Sequence, residues 1–327
     1  MTDLSIEQIA STAERKEKKK RGFWQRNRSQ VPLTLMCLPG VILTFMFAYM
    51  PMFGIIIAFK KFKVRDGIWG SPWNGLDNFS YLFKTHDAFI MVRNTLLYNA
   101  VFIIVGIALA VILAIGLNLV RQKRISKVYQ TIMIMPHFLS MVIVSYLVLA
   151  FLNMENGFLN NSILPMFGMN PVNWYVEEKP WPFILTFVHF WKCIGYDSII
   201  YLAAIAGIDI QLYEAAEIDG ASTWKTVWHI TLPLLKNVIC IKLILAMGHI
   251  FGGDFGLFYQ VPMNSGALAD VTTTIPVYVY RSLTAGSTNS IGLGSAVSFI
   301  QSVVGCFLVV VTNAIVNKIS SGENGMF

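Results

Sequence analysis

Six apolar runs, at about 32–59, 94–120, 128–153, 182–208, 234–258 and 292–318, set what this chain can become. Each exceeds the roughly 20 residues that an α-helix needs to cross the hydrocarbon core of a bilayer. Lipid offers no water to exposed N–H and C=O groups, so a spanning backbone must bond to itself. The runs therefore predict an all-α integral membrane protein built as a bundle of six transmembrane helices. Only 13% of the residues are charged, against about a quarter in soluble domains.

Lysine and arginine set the expected orientation, because they collect on the cytoplasmic side of short connections. Eight precede the first run, Arg15, Lys16, Lys18, Lys19, Lys20, Arg21, Arg26 and Arg28, and the connection RQKRISK at 121–127 holds four more. With six crossings these segments share one side. The connections 154–181 and 259–291 hold one each, Lys179 and Arg281. Lys60, Lys61, Lys63 and Arg65 argue the other way and are outnumbered. Both termini are expected in the cytoplasm. That divides the chain into a basic, lipid-attracted tail over 1–31, a membrane domain over 32–320 and a short tail over 321–327. About thirty mostly polar residues precede the first run, which is not the pattern of a cleavable signal peptide.

These clusters explain the net charge of +7 without nucleic acid. The four cysteines, Cys37, Cys193, Cys240 and Cys306, lie inside apolar runs with no metal or redox spacing. They read as small buried apolar residues. No HExxH-type ligand set and no nucleophile motif is present, and the five histidines are scattered, which sets aside a metal site and a membrane enzyme.

One connection is unlike the rest. YEAAEIDGASTWKTVWHITLPLL, at 213–235, is polar, charged and broken by glycine, yet lies between two apolar runs. Asp209 suits the cap of a short helix starting near Ile210. Gly220 ends it, because glycine alone turns the backbone there at no steric cost. A second short helix is expected from about Ala221 to Ile230, with Trp224, Val227 and Trp228 on its apolar side. Pro233 suits the first turn of the fifth run. Ala215, Ala216 and Ala221 allow close approach, and Glu214 and Asp219 offer carboxylates to a partner's arginine. These features fit a docking knob and a plain interfacial connector equally well.

The spacing Glu-Ala-Ala, three residues, Gly, nine residues, Ile, one residue, Leu-Pro resembles the EAA motif of bacterial ABC importer permeases. Here it is filled by Glu214, Ala215, Ala216, Gly220, Ile230, Leu232 and Pro233. Chance would place these seven in such a chain on the order of once in a million. WKCIGYDSIIYLAAIAGIDIQLYEAAEIDGASTW resembles the carbohydrate-uptake branch, in particular permeases for polysaccharides and oligosaccharides. LPGVILTFMFAYMPMFGIIIAFKKF and ADVTTTIPVYVYR resemble its larger, MalF-like subunit. Ile210 departs from relatives that often start the docking helix with proline.

The resemblance implies a type I importer permease in the bacterial cytoplasmic membrane, paired with a second, MalG-like permease. It implies two ABC ATPase subunits that bind ATP and magnesium, an extracellular solute-binding protein and a carbohydrate substrate. No cofactor is expected in this chain, which has no GxxxxGK[ST] loop. Segment 209–233 would be the coupling helix. Glu214 would be gripped by an ATPase arginine and Gly220 would set the bend, with Tyr213, Asp219 and Ala221 at the same contact.

Ionisable groups inside a span usually face a cavity or a partner. The fourth run holds His189, Trp191, Lys192, Tyr196 and Asp197, and the fifth holds Lys242, His249 and Asp254, the last within FGGDFG. His189, Lys192 and Tyr196 share one helical face. Trp191, Tyr196, Asp197 and Asp254 are the candidates for sugar contact, by stacking or by hydrogen bonds to hydroxyls. Lys242 is expected to snorkel at the cytoplasmic end. Trp174, Tyr175, Tyr280 and Arg281 are candidates for meeting the binding protein or the substrate from outside, and an interfacial aromatic belt explains the first three equally well. The alternatives are a permease for a non-sugar solute and a membrane sensor that recruits a cytoplasmic protein.

Overall fold

The computed structural model describes residues 31–284 and 290–319. The expected basic tail before residue 31 and the short tail over 321–327 lie outside that range. The chain divides into two compact units, Met1–Ile56 and Ile57–Phe327.

In the first unit, α1 (Val31–Thr44) passes into a π segment, Phe45–Tyr49, and then into a 3-10 stretch, Met50–Phe59, that runs on into the second unit. The changes of pitch lie between Pro39 and Pro51, each of which lacks the N–H that a regular helix needs. Leu35, Met36 and Phe47 are exposed, which suits a helix bathed in lipid.

The second unit is built on α2 (Asp77–Lys84), α3 (His86–Leu119), α4 (Lys123–Ile134), α5 (Met141–Leu152), α6 (Trp181–Ala206), α7 (Ile210–Ile218), α8 (Thr223–Thr226), α9 (Leu232–Gly248), α10 (Ile275–Thr284) and α11 (Ser290–Ile319). Among the described residues, the only β pairing is an isolated bridge between Lys60 and Trp73. Helix α3 has 34 residues, about 51 Å at 1.5 Å per residue. It starts earlier than the apolar run and overshoots the bilayer core. It packs along α6, where Ala110 and Ala114 are fully buried beside Tyr201, Ile205 and Leu235. Small residues let membrane helices approach closely, and dispersion then holds them. At the other end, Trp181, Leu185 and Val188 of α6 pack with Tyr98, Val144 and Phe258.

Among the described residues, five helices are long and apolar enough to cross a membrane: Pro32–Phe59, His86–Leu119, Trp181–Ala206, Thr223–Gly248 and Ser290–Lys318. The third run does not form the straight helix expected over 128–153. Lys123–Phe138 and Met141–Leu152 meet at 96°, and only the bent pair completes a sixth span. Twelve-residue pieces such as α4 and α5 are about 18 Å long, too short to cross alone. The bend has a local cause. Pro136 opens a 3-10 turn, Met135–Phe138, and Ser140 restarts the chain as the cap of α5, where its Oγ accepts from Ile143 N–H at 3.3 Å.

The fifth run also departs from expectation. Its helix ends at Gly248 and resumes as a π segment, Gly256–Gln260. Gly252 and Gly253 lie in this break, and the freed Gly252 carbonyl is taken by Asn99 Nδ2 at 2.9 Å. The expected connections 60–93 and 259–291 are largely ordered. The first holds α2 and the second holds α10, placed by Asn94, whose Nδ2 donates to the carbonyls of Asp270 and Thr273 at 2.8 and 3.0 Å.

Candidate functional site

Helix α7 is stopped at both ends by its own sequence. Gln211 N–H donates to Asp209 Oδ1 at 3.0 Å, so Asp209 is the cap expected, and the helix begins at Ile210 without a proline. At the other end Gly220 has φ +71°. Ala221 N–H donates to Ala216 O at 2.9 Å and Gly220 N–H to Glu217 O at 3.0 Å. This pair of bonds is a Schellman closure, which needs a left-handed residue at the glycine. A Cβ on Gly220 would meet nothing within 4 Å, so the demand is purely conformational. Gly220→Ala is therefore expected to cost about 1 kcal/mol at this turn. Amide exchange at Gly220 and Ala221 should quicken several-fold, and unchanged exchange would show that the turn tolerates a side chain.

The segment after the turn is not a separate helix. Ser222 caps α8, which passes through a π segment, Val227–Thr231, straight into α9. Thr223–Gly248 is one continuous span. The expected apolar side splits as well: Val227 is buried, whereas Trp224 and Trp228 are 75% and 63% exposed. At helical spacing the three share a side, but the bundle covers only the edge that carries Val227.

Tyr213 Oη and Thr231 Oγ1 are 3.1 Å apart, which ties α7 to the root of that span. Glu214, Ala215, Asp219 and Pro233 are exposed, and Ala216, Ala221, Ile230 and Leu232 are half-buried. Ile210, Leu212 and Ile218 are 68%, 45% and 86% exposed. Sequence reasoning took Ile210 only as the start of the helix and passed over Leu212 and Ile218. An apolar residue beside the helix-ending glycine, in a helix too short to bury it, is the signal that points to Ile218.

Within the membrane, Lys242 Nζ of α9 donates to Asp197 Oδ1 of α6 at 3.1 Å. Lys242 therefore does not snorkel outward as expected, because a carboxylate one helix away satisfies it in place. The pair lies in a cleft of about 340 Å³ lined by Asn99, His189, Cys193, Tyr201 and His249 among others.

The sugar candidates do not converge on this cleft. Only Asp197 lines it. Tyr196 stacks on His137 with centroids 4.2 Å apart and planes at 5°. Trp191 is 39% exposed on another face of α6. Asp254 accepts from Leu257 N–H at 3.1 Å and so caps the resumed fifth span. The common face of His189, Lys192 and Tyr196 also divides. His189 stacks on Phe102 of α3 at 3.7 Å, whereas Lys192 and Tyr196 meet the bend of the third span.

On the far loops, side chains expected to face a partner are built into the chain. Asn160, 2% exposed, accepts from Trp174 Nε1 at 3.0 Å and from Val172 N–H at 3.1 Å. Arg281 donates to Asn264 Oδ1 at 2.7 and 3.1 Å and to Thr273 Oγ1 at 3.1 Å. Tyr280 packs against the stacked pair of Phe255 and Tyr259. Burial pushes the Tyr175 hydroxyl up to about 12. Asn160 carried no motif, and its role emerges only from the loop that closes around it.

The family described as "Binding-protein-dependent transport system inner membrane component" matches residues 106–320. The chain is 36% identical over 314 residues to the polygalacturonan/rhamnogalacturonan transport system permease protein YteP of Bacillus subtilis, covering 96% of this chain and 95% of that one. It is 30% identical over 254 residues to the arabinooligosaccharides transport system permease protein AraP of the same organism, covering 77% of each. A chain of a bacterial ABC transporter involved in the import of the acidic polysaccharide alginate superposes with a TM-score of 0.81 at 31% identity, over 90% of this chain and 98% of that one. A chain of the alginate transporter in complex with its alginate pentasaccharide-bound periplasmic protein gives 0.82 at 30% identity, over 93% and 99%.

Proposed function

This chain belongs to the binding-protein-dependent transport system inner membrane components, and on that premise we propose that it is the permease subunit of an ABC importer that carries an oligosaccharide across the cytoplasmic membrane. A binding protein outside delivers the sugar. A second, MalG-like permease completes the pathway, and two separate ATPase subunits bind ATP and magnesium. Both termini lie in the cytoplasm, and so does segment 209–233.

The observation that carries this reading is α7. It is a short helix closed at both ends by its own chain, yet it presents Glu214, Asp219 and Ile218 outward. Such a helix fits the groove of an ATPase, with Glu214 for an arginine and Ile218 for an apolar wall. A push on α7 enters the span through the Gly220 turn and the Tyr213–Thr231 contact, and because Thr223–Gly248 is continuous it then reaches Lys242 along one helix. Lys242 passes it to α6 through Asp197. ATP-driven closure of the two ATPases would thus tilt α9 and α6 together and turn the pathway outward.

For the substrate, Asp197 is the strongest of the four candidates. Lys242 engages one carboxylate oxygen, and the other suits a sugar hydroxyl. Trp191, at 39% exposure, offers an aromatic face to a sugar ring, Tyr196 offers the face that His137 leaves uncovered, and Asp254 sits at the break of the fifth span. Losing one hydrogen bond to a charged group costs about 1.5–3 kcal/mol, so Asp197→Ala should raise the half-saturation for uptake by about tenfold or more. Unaltered uptake kinetics in that variant would remove Asp197 from the site. The proposal as a whole is tested by reconstituting the chain with its second permease, ATPases and loaded binding protein. Sugar should accumulate only with ATP, and the absence of any vectorial movement would favour a sensor.

A further inference from the structure

The bend in the third span creates a problem that lipid makes acute. The last carbonyls of a helix have no partner within it, and hydrocarbon supplies no water to take them. Here Lys192 of α6 takes them. Its Nζ donates to His137 O at 2.8 Å, to Leu139 O, and to Pro136 O at a longer 3.5 Å. The residue is 9% exposed. Among the described residues the only ion pair is Asp197–Lys242, so no carboxylate neutralises Lys192. Its charge is met by carbonyl dipoles and by the negative end of the Lys123–Phe138 helix.

Two neighbours on α6 press on the same bend. Gly195 lies so close to Met133 that a Cβ there would overlap the Met133 carbonyl. Tyr196 stacks on His137. Beyond the bend, a Cβ at Gly256 would come within 2.7 Å of the Met141 side chain. The bend is therefore held between α6 and the break of the fifth span.

An intramembrane lysine in a relative of acidic-polysaccharide importers invites assignment to a substrate carboxylate. The geometry points elsewhere: we infer that Lys192 is a positioning residue, whose ammonium acts as an internal cation that fixes the bend of the third span and makes no contact with the sugar. Its two short contacts and the longer third are all to backbone carbonyls, and the residue is 9% exposed, so the ammonium is turned toward the bend and away from a ligand. The inference uses the transport reading for one of its two readouts only.

The test compares Lys192→Arg and Lys192→Met in the complete reconstituted importer. Without the cation, amide exchange across 133–141 should rise at least tenfold. Maximal uptake should fall at least tenfold for an acidic and a neutral oligosaccharide alike, with half-saturation within twofold of wild type. Lys192→Arg should restore both readouts to within about threefold. Wild-type exchange in Lys192→Met overturns the inference. So does a raised half-saturation confined to the acidic sugar, which marks a substrate contact. If Lys192→Met does not accumulate, Lys192→Gln takes its place, and wild-type exchange there overturns the inference equally. Exchange is read without transport. A wild-type importer that moves no sugar would therefore sink the function proposed above and leave this inference to be judged by exchange alone.

Discussion

Glu214→Lys is expected to abolish ATP-coupled uptake while leaving the subunit in the membrane. Glu214 is exposed on α7, where a substitution rarely moves stability by more than about 0.5 kcal/mol. The fold should therefore survive. Docked in an ATPase groove, the same carboxylate would be desolvated against an arginine. Breaking such a pair costs about 2–5 kcal/mol, and reversing its sign adds repulsion. Co-purification of the ATPase should fall by about a hundredfold, and uptake should fall with it. Wild-type uptake in Glu214→Lys would sink the coupling role of this helix. Wild-type membrane levels with lost uptake would separate docking from folding.

Gly195→Ala is expected to damage the bundle itself. Its new methyl group would overlap the Met133 carbonyl, and neither backbone can yield cheaply. Met133 lies in α4, just before the bend that Lys192 holds, and Gly195 is in the middle of α6. Overpacking of this kind costs about 1–3 kcal/mol, and backbone-on-backbone overlap belongs at the upper end. A loss of that size should lower the thermal midpoint by roughly 5 °C or more. Gly116→Ala in α3 is the control, because a Cβ there meets nothing within 4 Å. It should leave the midpoint unchanged or raise it slightly, since alanine is the better helix former. Equal midpoints for the two variants would refute the close contact of α4 and α6.

The two substitutions differ in what the chain discloses before it folds. Glu214 belongs to a spacing that can be read along one dimension. Gly195 lies in a stretch that carries the family resemblance, but its demand arises from Met133, which is 62 residues away in the chain. Lys192 behaves in the same way. Its helical spacing with His189 and Tyr196 is legible, but the spacing says only that the three share a face. It does not say that the face meets a broken helix, and so it suggested one site where the fold makes two separate contacts. Asp197 and Lys242, 45 residues apart, could each be flagged as costly in lipid, but nothing in the sequence joins them.

The features legible before folding are those that depend on neighbours along the chain. The apolar runs prescribe helices because lipid leaves the backbone no other partner. Asp209 and Gly220 prescribe the ends of α7 because capping and left-handed geometry act within a few residues. Pro136 and Ser140 mark where the third span breaks, but tertiary structure decided the 96° angle it takes, the fusion of α8 with α9, and the exposure of Trp224 and Trp228. It also decided the partners of Lys192 and Lys242. Each of these turns on which surfaces are brought within about 4 Å of one another. That is set by how helices cross in the bundle, a relation that periodicity along a single helix does not contain.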